Sequence, residues 1–170
     1  NTTAVSYNKI EKRIREVLFE LENFRKTKDP NNHSVTQRVL YWKTGLNIIQ
    51  NSIIIGQGTG GVKKAYKNYY QESTTILNKK NQRLAHNQFL TQFINLGIFG
   101  FSIWLFIFLL PSIRLLRIKG PLFLSFLCSM VIAFFSDDMI ERQAGVTIFA
   151  TIFYLFVFSC SDIELKGLFL

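Results

Sequence analysis

The chain has 170 residues, with 20 Lys+Arg against 11 Asp+Glu, 17 Phe and a mean hydropathy of +0.17. A soluble domain of this size is rarely both so apolar and so basic. The charge is also segregated: residues 1–91 carry 15 Lys+Arg and 6 Asp+Glu, a net of +9, whereas residues 92–170 carry 5 of each. An ordinary soluble globule is thereby excluded in favour of a basic polar half, 1–91, and a lipid-like half, 92–170.

In chain order, residues 8–26 read as an amphipathic helix, with Ile10, Ile14, Val17, Leu18, Leu21 and Phe24 at helical spacing and Glu11 four residues before Arg15. Its polar face reads as a solvated surface, the helix lying on the membrane or on the rest of the domain. The loop KDPNNHS ends it. Ser34 and Gln37, three apart, predict a capping box, from which a second helix runs to about Asn51. Arg38 and Trp42 share one face of that helix. Arg38 has two readings: a residue that snorkels or pairs with Glu20 or Glu22, or a guanidinium that clamps a phosphate in bidentate fashion.

An apolar, strand-like run then leads into IIIGQGTGG, where Gly56, Gly58 and Gly61 satisfy G-x-G-x-x-G. The context opposes a dinucleotide fold, because no βαβ unit follows. A Walker loop fails as well, since Val62 separates Gly61 from Lys63 and no Ser/Thr follows the Lys63–Lys64 pair. Two readings remain: a structural turn, or a turn at Gly58 and Gly60 whose bare N–H groups, beside Lys63, approach a phosphate or sugar. A basic, tyrosine-rich segment, KKAYKNYYQESTTILNKKNQR, leads on to AHNQFL. There His86, flanked by Arg83 and Asn87, stands at the membrane surface ahead of the first apolar core. A neutral imidazole at that place can take a proton from an attacking hydroxyl, or can be an interfacial polar residue without chemistry. His33 reads as a surface residue.

Three charge-free stretches predict membrane spans at about 94–113, 120–136 and 143–161. The first lies between Arg83 and Arg114, with its apolar core from Leu96 to Leu110; the other two run Gly120 to Ser136 and Gln143 to Ser161. About 20 apolar residues cross a hydrocarbon core of about 30 Å, so the second and third are at the short end, and the second is expected to use Lys119 snorkelling to reach the interface. The connection after the first span carries Arg114, Arg117 and Lys119. The connection after the second carries Asp137, Asp138, Glu141 and a single Arg142. The basic connection is expected to be cytoplasmic, which places residues 1–91 and the acidic turn together on the external, periplasmic face, because long domains translocate largely regardless of charge. The +9 half then calls for an anionic partner outside the cytoplasm. Arg142 adds charge to that same face, where ionisable groups near spans are candidates for function. Cys128 and Cys160 fall within spans and read as small packing residues, with no metal-ligand spacing. The opening NTTAVSYNKI has mid-domain character, so the chain is expected to be the C-terminal piece of a longer membrane protein.

TQRVLYWKTGLNII with Arg38 and Trp42, GQGTG, Tyr69–Tyr70, AHNQFL with His86–Asn87, and LGIFG together resemble, in this order relative to the spans, the C-terminal half of the bacterial O-antigen ligase and polymerase family. The resemblance covers residues 30–160, and DDMIERQAGV is similar to the corresponding segment of Bacteroidetes-type members. It implies an all-α polytopic membrane protein, with three spans and a mostly helical external loop domain in this part, in the bacterial inner membrane. It further implies a glycosyltransferase that moves a glycan from undecaprenyl pyrophosphate to lipid A core or another hydroxyl acceptor, without metal or cofactor. The polymerase and protein O-oligosaccharyltransferase activities of the same family are its alternatives. By position, Arg38 corresponds to the arginine that holds the pyrophosphate and His86 to the histidine that activates the acceptor. Gly58, Gly60, Lys63, Arg83, Asn87 and Arg142 are the expected substrate contacts around them. The further spans and external arginine that the family carries upstream lie outside this sequence, so the piece by itself is expected to lack a complete donor pocket. A non-catalytic polysaccharide export or anchoring subunit is the competing class. Nucleic acid is not an expected partner, because the orientation puts the basic half outside the cytoplasm; membrane lipids are.

Overall fold

A computed structural model describes residues 2–31 and 33–158. All regular structure among them is helical: α1 (Thr2–Thr27), α2 (Ser34–Asn51), α3 (Val62–Glu72), α4 (Gln88–Ser136) and α5 (Gln143–Phe158), with single 3-10 turns at Lys79–Asn81 and Met139–Glu141. The strand-like reading of the run before the glycines does not hold, since Ile53–Ile55 form turns. The segment after Gly61, expected only as a basic, tyrosine-rich stretch, is helix α3.

α1 is longer than expected and leaves its apolar side largely uncovered, with Ile10, Ile14, Leu18 and Phe19 all exposed. It reaches α2 through polar contacts. The Glu20 carboxylate accepts the N–H of Val35 at 3.2 Å, and Asn23 Nδ2 lies 3.0 Å from His33 Nε2. Glu20 thus satisfies one of the orphan donors of the first turn of α2. The expected Ser34–Gln37 capping box is absent: His33 occupies the cap position, and Gln37 donates instead to the carbonyl of Asn31 at 2.7 Å.

The core of the polar half is built by Tyr41 and Ile48 of α2, Val62, Tyr66 and Tyr70 of α3, and Leu77, Ala85 and Ile94. The glycine-rich loop is docked onto α4 where that helix breaks. Gly97 adopts φ 63° and ψ −172°, which ends one helical stretch and starts another. The break strips the carbonyls of Ile94 and Asn95 of helical partners, and the loop supplies them: Gln57 N–H donates to Ile94 at 2.7 Å and Gly58 N–H to Asn95 at 2.9 Å. In return the freed N–H of Ile98 donates to the carbonyl of Ile53 at 2.7 Å. The break is therefore tolerated because these three freed backbone groups are paired.

Gly120 (φ 56°, ψ −133°) with Pro121 behind it makes the second break in α4. Proline suits the first turn of the following helix, where no N–H partner is needed. The chain reverses there, bringing Asp137 back to the end where α4 begins. Residues 98–119, residues 121–136 and α5 pack through a column of rings, including Phe108–Phe134 at 6.0 Å, Phe108–Phe149 at 5.8 Å and Phe123–Phe156 at 5.1 Å between centroids. The outward faces remain apolar: Phe99, Phe106, Ile107, Leu122, Ile132 and Leu155 are exposed.

Among the described residues one helix, Gln88–Arg117, is long and apolar enough to cross a membrane, with a mean hydropathy of 2.3 over its most apolar window, of which only 17% is buried, so one of the three expected spans is seen at full length. Gly120–Ser136 and Gln143–Phe156 are apolar but shorter. The first helix extends beyond the expected 94–113 at both ends. Arg114 and Arg117, expected in a connecting loop, are instead part of the helix, and the turn is compressed into Gly120. The side chain of Lys119, and Cys160 with the last residues of the expected third span, lie outside the described residues; Cys128 is exposed.

Candidate active site

The stretch from Asn81 to His86 carries no regular structure beyond its first residue, yet three aromatic side chains hold it in place. Tyr41 Oη donates to the carbonyl of Asn81 at 2.6 Å, Tyr70 Oη to that of Arg83 at 2.9 Å and Trp42 Nε1 to that of Ala85 at 3.0 Å. Every second carbonyl is thus pinned by a donor from α2 or α3, which fixes where the chain delivers His86. Burial pushes the Tyr70 hydroxyl up to about 12, and burial raises Tyr66 as well. These phenols therefore stay protonated and remain donors.

His86 itself adopts φ 47°, in the left-handed region. Histidine tolerates that region better than most residues, but such backbone is uncommon and concentrates at functional positions. The conformation lets the chain turn directly into α4. Asn87 caps that helix by accepting the N–H of Leu90 at 3.1 Å, and Asn87 N–H donates to Asp138 at 3.1 Å.

Across from His86 stands the turn between Ser136 and Gln143. His86 Nδ1 lies 3.1 Å from Asp137 Oδ1, with both side chains about one-third exposed, and Arg142 Nη2 lies 3.2 Å from Asp137 Oδ2. Burial tends to raise the Asp137 pKa, but the hydrogen bond from His86, the N–H of Asp138 and the charge of Arg142 outweigh it and hold the carboxyl below its ordinary range. With Asp137 Oδ1 accepting a hydrogen bond from Nδ1–H, the tautomer that the carboxylate favours, Nε2 is the ring atom left free to accept a proton. Asp138 is buried and receives Asn87 N–H and, at 2.6 Å, Thr91 Oγ1–H. Gln88, fully buried, accepts Ile140 N–H at 2.7 Å, which ties the turn to the start of α4.

His86, Asp137 and Asp138 offer three ligand atoms within 4.8 Å of one another. Both oxygens of Asp137 and Oδ1 of Asp138 are already engaged by Arg142, two N–H groups and a threonine hydroxyl. That donor-filled shell suits a hydrogen-bonded dyad better than a metal ion, which needs the same lone pairs.

His86 opens onto a cleft of about 430 Å³ whose lining includes Gly60, Lys63, Thr91, Asn95, Asp138, Glu141 and Arg142. The fold thus brings four of the expected residues together: His86, Gly60, Lys63 and Arg142. Asn87 is adjacent, but its side chain is engaged in capping. Gly58 lies outside the lining, its N–H spent on Asn95. The Arg83 side chain points into a neighbouring groove. Arg38 is exposed one helical turn from Trp42, makes no ion pair or hydrogen bond among the described residues, and does not line the cleft. The pairing with Glu20 or Glu22 is not formed, since Glu20 faces Val35 and Glu22 pairs with Lys26.

Asp137 is the residue that sequence reasoning missed. The available signal was a carboxylate pair in a short turn on the same expected face as His86, but 51 residues of separation hid the contact.

A family model described as O-antigen ligase matches residues 2–105. No curated protein and no solved structure matches the chain.

Proposed function

The chain belongs to the O-antigen ligase family, and from that membership we propose that it forms the C-terminal part of an inner-membrane glycosyltransferase of O-antigen processing that moves a glycan from undecaprenyl pyrophosphate to an acceptor hydroxyl. The observation that carries the chemistry is the His86–Asp137 pair, 3.1 Å apart at the mouth of a cleft beside the long apolar helix.

In this reading the acceptor hydroxyl gives its proton to His86 Nε2 as its oxygen bonds to the anomeric carbon. The bond from that carbon to the pyrophosphate oxygen breaks, and the pyrophosphate leaves with the electron pair. Displacement in one step inverts the anomeric centre. Asp137 holds the ring by Nδ1–H and offsets the charge that the ring acquires. Lys63 and Arg142 stand at the cleft to meet a phosphate, and Arg38 is an unpaired guanidinium for the leaving group. The family's lipid-linked substrates support a donor presented at the membrane surface, where the +9 half attracts it.

The test is His86→Ala and Arg38→Ala in the full-length protein. Each is expected to lower glycan transfer by about 10²-fold or more while membrane insertion is unchanged; wild-type transfer by both overturns the assignment. Analysis of surface glycans after gene deletion separates the two activities of the family. Lipid-linked polymer accumulating with no long glycan on lipid A means ligase, and a single repeat unit left attached means polymerase.

A further inference from the structure

On α4, Gln88, Thr91 and Asn95 are spaced by three and four and so share one face of the helix. All three are buried, at 0%, 3% and 6% exposure. The first two hold the acidic turn: Gln88 accepts Ile140 N–H at 2.7 Å, and Thr91 Oγ1–H donates to Asp138 at 2.6 Å. Asn95 stands one turn further on, and its carboxamide makes no hydrogen bond among the described residues. Its Oδ1 is shut off from solvent, yet the residue lines the His86 cleft. Gln88 Nε2 and Thr36 Oγ1 are also buried without a partner, but neither residue lines that cleft.

A buried polar group left unpaired lowers stability, and an apolar side chain of similar size in its place avoids that cost. The fold itself makes no use of the carboxamide: the glycine loop is docked through the main-chain carbonyl of Asn95, which accepts Gly58 N–H at 2.9 Å. Rotation about χ2 exchanges the amide oxygen and nitrogen, so the group can present either an acceptor or two donors to what fills the cleft. Thr91 is tied through Asp138 to the turn that carries Asp137, the partner of His86. Asn95 lies about 6 Å further along the helix axis than Thr91, the scale of one sugar ring. Lys63 and Arg142 supply charge to the same cleft, whereas Asn95 supplies a neutral group able to pair with a neutral one. We propose that Asn95 is a specificity-determining residue: its carboxamide hydrogen-bonds a hydroxyl or acetamido group on a sugar ring that reacts in the cleft, the donor's or the acceptor's, and a ring without that group leaves the carboxamide unpaired. The proposal rests on the transferase reading above.

The test uses the full-length protein in nanodiscs and two variants, Asn95→Leu, which keeps the size of the side chain and removes its hydrogen bonding, and Asn95→Ala, which adds no branch. Two substrate series are compared: lipid pyrophosphate donors whose first sugar lacks one hydroxyl or acetamido group at a time, and acceptors with single deoxy positions. In one series, removing the contacted group is expected to lower the wild-type kcat/KM by about 10- to 100-fold, the range of one lost hydrogen bond. Both variants are expected to show that same loss on the parent substrate and no further loss on that one analogue. The series in which the variants stop discriminating identifies the ring as the donor's or the acceptor's. Wild-type kcat/KM in both variants, or an equal loss on the parent and on every analogue, overturns the proposal. Direct binding of the parent donor and acceptor oligosaccharides and of their analogues is measured in parallel. If the wild-type protein transfers nothing, the transferase reading falls, and the Asn95 assignment stands or falls on whether both variants weaken binding of a parent oligosaccharide while binding of one of its analogues is unchanged.

Discussion

At the residue scale the site depends on one pair. His86 was singled out by its position before an apolar stretch, and no pattern in the chain could supply its partner, because the whole of α4, with its two breaks, separates it from Asp137. In the proposed mechanism Asp137 acts through His86 as a positioning residue. Asp137→Asn keeps a hydrogen-bonding atom in place but removes the charge, so kcat is expected to fall by roughly tenfold or more with both KM values within about twofold. Asp137→Ala is expected to fall further. A parallel loss in KM would indicate a merely structural role. The sign of its pH dependence follows from the lowered pKa. The Arg142 ion pair and the hydrogen bonds that ionised Asp137 accepts are fully present above its unfolded value of about 3.9 and are lost only as pH falls through the lower folded value. Acidification to pH 5 therefore leaves the pair intact.

At the scale of elements, the glycines have separate physical reasons that one motif had merged. Gly56 and Gly97 lie where two backbones touch: a Cβ on Gly56 would stand 2.5 Å from the N of Gly97, and one on Gly97 would strike the carbonyl of Ile54. Gly58 and Gly60 also have positive φ, but a Cβ there meets nothing within 4 Å. Gly58→Ala is expected to cost about 1–2 kcal/mol, the left-handed backbone cost alone. Gly97→Ala adds a clash that must undock the loop, and thermal unfolding should show a clearly larger drop in Tm. Equal drops would mean that the loop does not brace the break. α1 and α2 were legible from periodicity and turn chemistry, and the apolar helices from their charge-free length, but α3 was not. Their caps were not, because the start of α2 is satisfied by Glu20 from another helix and the break at Gly97 by a loop distant in sequence.

At the scale of the molecule, the reversal at Gly120 returns the acidic turn to the side of His86, and the outward faces of α4 and α5 stay apolar. The proposed topology, three crossings with an external polar half, would account for both. In a full-length chain with Cys128 and Cys160 replaced by Ala, single cysteines at Ser73 and Glu141 are expected to react with a membrane-impermeant maleimide from the periplasmic side, and one at Arg117 only from the cytoplasm. Opposite sidedness for Ser73 and Glu141 would overturn that topology. The sequence by itself determined the basic and apolar halves and the helices α1 and α2, since composition, charge-free length and helical period are local quantities. Only the tertiary structure decided that Asp137 faces His86, that the glycine loop braces a broken helix and that an unpaired carboxamide lines the cleft. Those depend on where two breaks in a single helix send the chain, and the direction of a chain after a break is set by the groups that its freed N–H and carbonyl groups find.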